Sequence, residues 1–115
     1  MFKRGNIHLA KLYPNKGHEV GKTRPVLIMQ TNLLNDIGHT TVIVLPLSSV
    51  LVENSYPLRF RIKKREQLKH TSEILCDQIR AIDTQRILPE ILTSMTDQEL
   101  IHIEEQIKVI LEISD

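Results

Sequence analysis

Apolar positions first come in short strand-like runs and take on a helical rhythm only near the end of the chain. Residues 7–12 are short and apolar-rich. Residues 24–30 contain Val26-Leu27-Ile28-Met29, too short for a helix and preceded by Pro25, which predicts a buried strand. Residues 40–47 are β-branched at Thr41, Val42, Ile43 and Val44. Residues 58–62 alternate Leu58, Phe60 and Ile62 with Arg59 and Arg61, a half-buried strand with a basic outer face. Residues 73–82 set Ile74, Leu75, Ile79 and Ile82 around polar Asp77, Gln78 and Arg80, and are expected to form one further strand.

Turn chemistry separates these runs at residues 14–17 (PNKG), 35–38 (NDIG) and 48–57. Residues 63–70 (KKREQLKH) form a polar, mostly basic connector that reads as a solvated linker, with a helical turn as the alternative. The helix start is well marked. Thr96 followed by Glu99 is a capping box, and Met95 and Leu100 stand where a hydrophobic staple would. Leu100, Ile103, Ile107 and Ile110 then give one apolar stripe, expected to cover a barrel end or a dimer seam. Strands first and a helix last predict a mainly β protein with a C-terminal helix, a small β-barrel rather than a βαβ sheet. With 115 residues it is one domain, 1–115.

Charge changes this picture only once it is divided along the chain. Residues 1–80 hold 13 basic and 6 acidic side chains, whereas residues 81–115 hold 2 basic and 8 acidic ones. The first part suits a polyanion and the second would repel one. Two Phe, two Tyr and no Trp leave little material for an aromatic stacking platform. No apolar run approaches the length of a membrane span, and the first residues lack the apolar stretch of a secretory signal, so a cytoplasmic protein with no membrane partner is expected. A single cysteine, Cys76, cannot form an internal disulfide. The five histidines show no zinc-type spacing and no pairing with several cysteines, so neither a metal nor a cofactor is expected.

Three segments concentrate groups able to bind or transform a phosphate. Residues 17–25 (GHEVGKTRP) hold His18, Glu19, Lys22, Thr23 and Arg24 in a glycine-bounded loop that matches neither GxxxxGK[ST] nor GxGxxG. Ser48 and Ser49 end the third strand. Asp77, Gln78 and Arg80 follow Cys76, and an aspartate inside a strand needs a partner such as Arg24 or Arg80 if it is buried. Each has a plainer reading: a surface histidine, an arginine paired with a carboxylate, and a cysteine that is a small buried hydrophobe. By themselves they mark an anion site.

The same segments, taken in order, resemble the MazF/PemK family of toxins. The stretch 17–32 (GHEVGKTRPVLIMQTN) is similar to the family's G-[HS]-E-x-G-x-x-RPV loop and strand, 41–49 (TVIVLPLSS) to its next strand, and 74–87 (ILCDQIRAIDTQRI) to the strand and turn after that. The resemblance implies an SH3-like barrel, a homodimer, and sequence-selective cutting of single-stranded mRNA without metal. It also implies a cognate antitoxin with a partly acidic tail laid over the RNA groove. In the implied chemistry the RNA 2′-OH attacks the adjacent phosphorus and leaves a 2′,3′-cyclic phosphate and a 5′-hydroxyl. A base must take the hydroxyl proton, an acid must protonate the leaving oxygen, and donors must hold the phosphorane's charge.

Carried over by residue, Arg24 falls on the family's catalytic arginine and Ser48 on its catalytic threonine. His18 and Asp77 match positions that work in the PemK branch, which also uses an arginine where this chain has Leu75. Arginine is a poor base, so Arg24 is assigned to the phosphorane and is a candidate acid, with His18 or Asp77 as base. Glu19, Lys22, Thr23, Ser49, Gln78 and Arg80 are the expected RNA-binding positions. The competing readings are a non-catalytic homologue and a binder on the same barrel, as in the gyrase-poisoning toxins. Those toxins use a C-terminal tryptophan-type contact that this chain lacks.

Overall fold

A computed structural model describes residues 2–12 and 22–114. Seven strands form one sheet: β1 (Asn6–Lys11), β2 (Thr23–Ile28), β3 (Thr41–Ser48), β4 (Arg59–Ile62), β5 (Ser72–Leu75), β6 (Arg80–Asp83) and β7 (Ile87–Ser94). A short helix α1 (Asn32–Asp36) follows β2, a 3-10 turn (Thr84–Arg86) precedes β7, and α2 (Asp97–Leu111) closes the order. The strands run β4-β5-β3-β2-β1-β7, with β6 paired to the first half of β3, and every pairing is antiparallel.

This is the expected mainly β fold with a C-terminal helix, but the barrel is not closed by strand pairing. β4 and β7 are the two ends of the sheet. The connector 63–70 lies between them: Gln67 N donates to Leu92 O of β7 at 2.9 Å, and Arg65 Nη2 donates to Ser94 O at 2.8 Å. Leu68 of the same connector is buried in the main core. The stretch read as a solvated linker is thus a structural bridge, because one leucine and one arginine in it have distant partners.

The continuous apolar run of β2 follows from its central place in the sheet, which has an apolar cluster on each face. Leu27 faces the α2 side with Ile7, Leu45, Leu47, Ile74, Leu100 and Ile103. Val26 and Ile28 face the other side with Ala10, Leu12, Val42, Val44 and Ile82. Alternation is hidden in the sequence because both faces are covered. Residues 73–82 depart from the single expected strand. They form β5 and β6 with a turn at Cys76 and Asp77, and the two strands pair with different halves of β3. Strand β7, which the sequence pattern leaves unassigned, carries Pro89 and lies at the sheet edge, where a missing N–H is tolerated.

Helix α2 starts as its sequence predicts. Thr96 Oγ1 accepts from Glu99 N at 3.1 Å, and Glu99 Oε1 accepts from Thr96 N at 2.8 Å. Leu100 and Ile103 are buried and Ile107 and Ile110 pack against the main core, so the stripe covers the protein's own sheet. Arg65 holds both oxygens of Glu99 at 2.8 Å. That hydrogen-bonded pairing, against the opposing effect of burial, keeps the Glu99 carboxyl below its ordinary value. Against the first turn of the helix Gly5 adopts a φ of +96°, and a Cβ there would stand 3.2 Å from Leu100 Cδ1. Both features favour glycine at this crossing.

Candidate active site

A cleft of about 390 Å³ opens where the start of β2, the end of β3 and the connector converge. Its apolar lining comprises Leu9, Pro25, Leu47, Leu68 and Leu92, and its polar lining comprises Lys22, Thr23, Arg24, Ser49, Gln67, Lys69, His70 and Ser72. Among the described residues this lining carries two lysines, one arginine, one histidine and no carboxylate side chain. Arg24 sits in β2 opposite Ala10 of β1, half-buried. Lys22, at the entry to the strand, has a φ of +62°, a conformation uncommon for a residue with a side chain. Its carbonyl accepts from Leu12 N at 2.8 Å, which ties the strand entry back to the end of β1.

Of the residues singled out in the sequence, the cleft unites Lys22, Thr23, Arg24 and Ser49. His18 and Glu19 lie outside the described residues. Ser48 is buried, and its hydroxyl accepts from Val50 N at 3.1 Å, shaping the turn that follows β3. Strand alternation gives the cleft Leu47 and Ser49, the neighbours of Ser48 on either side. Asp77 is not buried in a strand and does not line the Arg24 cleft; it is exposed in the turn between β5 and β6. Asp77, Gln78, Ile79 and Arg80 line a separate hollow of about 240 Å³. A turn accommodates an aspartate that a strand would not, so the buried-partner argument made from sequence does not apply.

Sequence reasoning missed Gln67, Lys69 and His70. The signal was present in the basic composition of the connector, but nothing local shows that buried Leu68 turns its neighbours toward Arg24. His70 is exposed, and its carbonyl accepts from Ser72 Oγ at 2.8 Å, which anchors the connector to β5. Another histidine, His8, is of a different kind. It is buried, its Nδ1 lies 2.9 Å from Leu88 O, and burial lowers its pKa, so it belongs to the interior. Leu75 is buried as well, consistent with an apolar side chain where the PemK branch has arginine.

Cys76 has no nucleophilic character. The thiol is 1% exposed, and burial, reinforced by the Asp77 charge, pushes its pKa up to about 12. A thiolate is the reactive form, and here it is strongly disfavoured. Among the described residues there is no group of three or more His, Cys, Asp or Glu side chains arranged to hold a metal ion.

Comparison with known proteins bears on this geometry. Residues 3–111 match the family described as PemK-like, MazF-like toxin of type II toxin-antitoxin system. The chain is 34% identical to endoribonuclease MazF of Staphylococcus epidermidis, covering 100% of this chain and 95% of that protein. It is 35% identical to endoribonuclease EndoA of Bacillus subtilis, covering 98% and 97%. A chain of the MazE-MazF crystal structure from Deinococcus radiodurans superposes with a TM-score of 0.74 at 19% identity, covering 96% of each.

Proposed function

The chain belongs to the PemK/MazF toxin family and is an endoribonuclease, and on that premise we propose that the Arg24 cleft cuts single-stranded mRNA by internal attack of its own 2′-OH, without a metal. The observation that carries this reading is the lining itself, which brings Lys22, Arg24 and Lys69 together with His70 and Ser49 around one cleft. Such a surface concentrates phosphate and supplies donors where negative charge grows.

The division of labour follows from the side chains. Arg24 presents a planar fork of donors suited to two phosphorane oxygens at once. Lys22 and Lys69 hold the neighbouring phosphates as point charges. His70 is the group of this lining able to move a proton. As neutral imidazole it takes the 2′-OH proton while the oxygen–phosphorus bond forms, and as imidazolium it gives one to the departing 5′-oxygen. The products are a 2′,3′-cyclic phosphate and a 5′-hydroxyl. Ser49 offers a hydroxyl donor in the cleft, while Ser48 shapes the turn that presents it. Asp77, Gln78 and Arg80 serve as a flanking contact for the strand.

An antitoxin is the natural partner of a type II toxin. An acidic tail would find in this cleft the same three cations as RNA, so the two compete. A homodimer working in the cytoplasm is the assembly we assign, supported by the exposed aliphatic residues Leu33, Ile37, Ile43 and Ile79. Sedimentation at micromolar concentration should give twice the monomer mass; a monomer there would count against it.

The test of the activity is direct. Purified protein incubated with a long single-stranded RNA in EDTA should give discrete fragments with 5′-hydroxyl and cyclic-phosphate ends. Cleavage that vanishes in chelator and returns with magnesium or zinc would overturn the chemistry.

A further inference from the structure

Glu73 is the one carboxylate among the described residues that is almost wholly buried, at 2% exposure, and the proposed chemistry makes no use of it. It lies in β5 between Ser48 of β3 and Arg61 of β4, paired in register with both. Its oxygens are fully engaged. Oε1 accepts from Val52 N and from Arg59 Nη1, each at 3.0 Å. Oε2 accepts from Arg61 Nε at 3.0 Å and Nη2 at 2.9 Å. Burial alone would raise its pKa, but the bonds from Arg59, Val52 and Arg61 outweigh that and hold the carboxyl below its ordinary value.

The bonds made through Glu73 converge on one segment. Arg59 Nη1 also donates to Val50 O at 2.9 Å, and Arg61 Nη2 also donates to Glu53 Oε1 at 3.0 Å. Directly or through an arginine, this carboxylate therefore reaches Val50, Val52 and Glu53. They follow Ser49, which lines the cleft. The far end of the same segment is held by buried Gln106, whose Nε2 donates to Pro57 O at 2.8 Å and Arg59 O at 2.9 Å. The side chains between these anchors face outward: Val50 is 70% exposed and Tyr56 70%. Core packing thus does little to fix residues 49–58, and the polar hub beneath them does most of it.

A buried ion pair is weak evidence of stability but a recognised way to select one conformation. We infer that Glu73 is a positioning residue for the nuclease reading above, fixing the segment after Ser49 and thereby which RNA sequences are cut. A base seated in the cleft beside Ser49 meets a wall whose shape this carboxylate sets. The same wall without its pin samples several shapes and discriminates less.

Glu73→Gln tests the inference, since it keeps size and one acceptor oxygen but removes the charge. Amide exchange at Val52 should quicken about tenfold, the loss of one charge-assisted hydrogen bond. On a long RNA the variant should cut extra sites, with the kcat/KM ratio between the preferred and a disfavoured sequence falling about tenfold, the same free energy read as lost discrimination. A cooperative melt well above the assay temperature shows that the variant is folded. Wild-type exchange and a wild-type fragment pattern in that folded protein would overturn the inference and leave the nuclease reading intact. If Glu73→Gln does not fold, Arg59→Met removes the Arg59 bonds to Val50 and to Glu73, leaves Val52 and Arg61 on the carboxylate, and should shift the pattern in the same direction; an unchanged pattern there is also an overturning result. Should the wild type cut no RNA at all, the nuclease reading falls with the specificity role, and Val52 exchange decides whether the pin exists.

Discussion

The cleft beside Arg24 and the hollow beside Asp77 are built on different principles. The cleft draws its lining from β1, β2, β3, β5, β7, the turn after β3 and the connector, so residues far apart in sequence face one space. The hollow is made by four consecutive residues, Asp77 to Arg80, from the turn after β5 to the start of β6. The cleft gathers Lys22, Arg24 and Lys69 among a lining that also includes Leu9, Leu47, Leu68 and Leu92. The hollow's lining holds one carboxylate, Asp77, and one cation, Arg80. A field that stabilises a phosphorane is better served by the first arrangement, where several cations converge on one space. The second can only brush a passing strand.

The contrast is broken most severely at Arg24. Arg24→Ala should remove about 3–4 kcal/mol of transition-state stabilisation, a rate loss of hundreds-fold, as for other deleted oxyanion donors. Arg24→Lys should recover little, because a point charge does not reproduce the fork. His70→Gln comes next, with a loss of roughly 100-fold, the lower end of what a positioned proton-transfer group contributes. A substrate with sulfur in place of the departing 5′-oxygen, which leaves without a proton, checks the acid role: it should recover much of the rate lost in the variant.

Smaller effects sharpen the comparison. Lys69→Ala should weaken RNA binding across all sequences and lower the slope of log affinity against log salt by about 0.7, one phosphate contact to a single strand. Asp77→Asn should change the rate by less than about fivefold, the scale of one solvated charge. A loss at Asp77 equal to that at Arg24 would merge the two hollows into one working site.

The α2 cap was legible in the sequence because Thr96 and Glu99 act over three residues, and the strands before it were legible where two apolar faces produced a run such as 26–29. The open sheet edge was not legible, since it depends on Leu68 and Arg65 of the connector reaching α2 and β7. Similar reasoning covers the site. The family-like segment 17–25 marked Arg24, and the position after Ser48 marked Ser49, but each needs only local pattern. His70 and Lys69 were invisible because their place in the cleft is set by the packing of a neighbour. Glu73 was hidden for the same reason: its partners Val52, Arg59 and Arg61 meet it only after three strands have paired. Asp77 was misread through the strand it was assigned to, which the structure replaces with a turn.

The location of the chemistry can be read without any mutation. A short RNA carrying 2′-deoxyribose at the cut position binds but cannot attack its own phosphate, so its contacts can be mapped at equilibrium by backbone NMR. The account predicts that the largest shifts fall on residues 22–25, on Ser49 and on residues 67–70, with weaker ones at 77–80. Shifts confined to 77–80, with the Arg24 cleft unmoved, would contradict it.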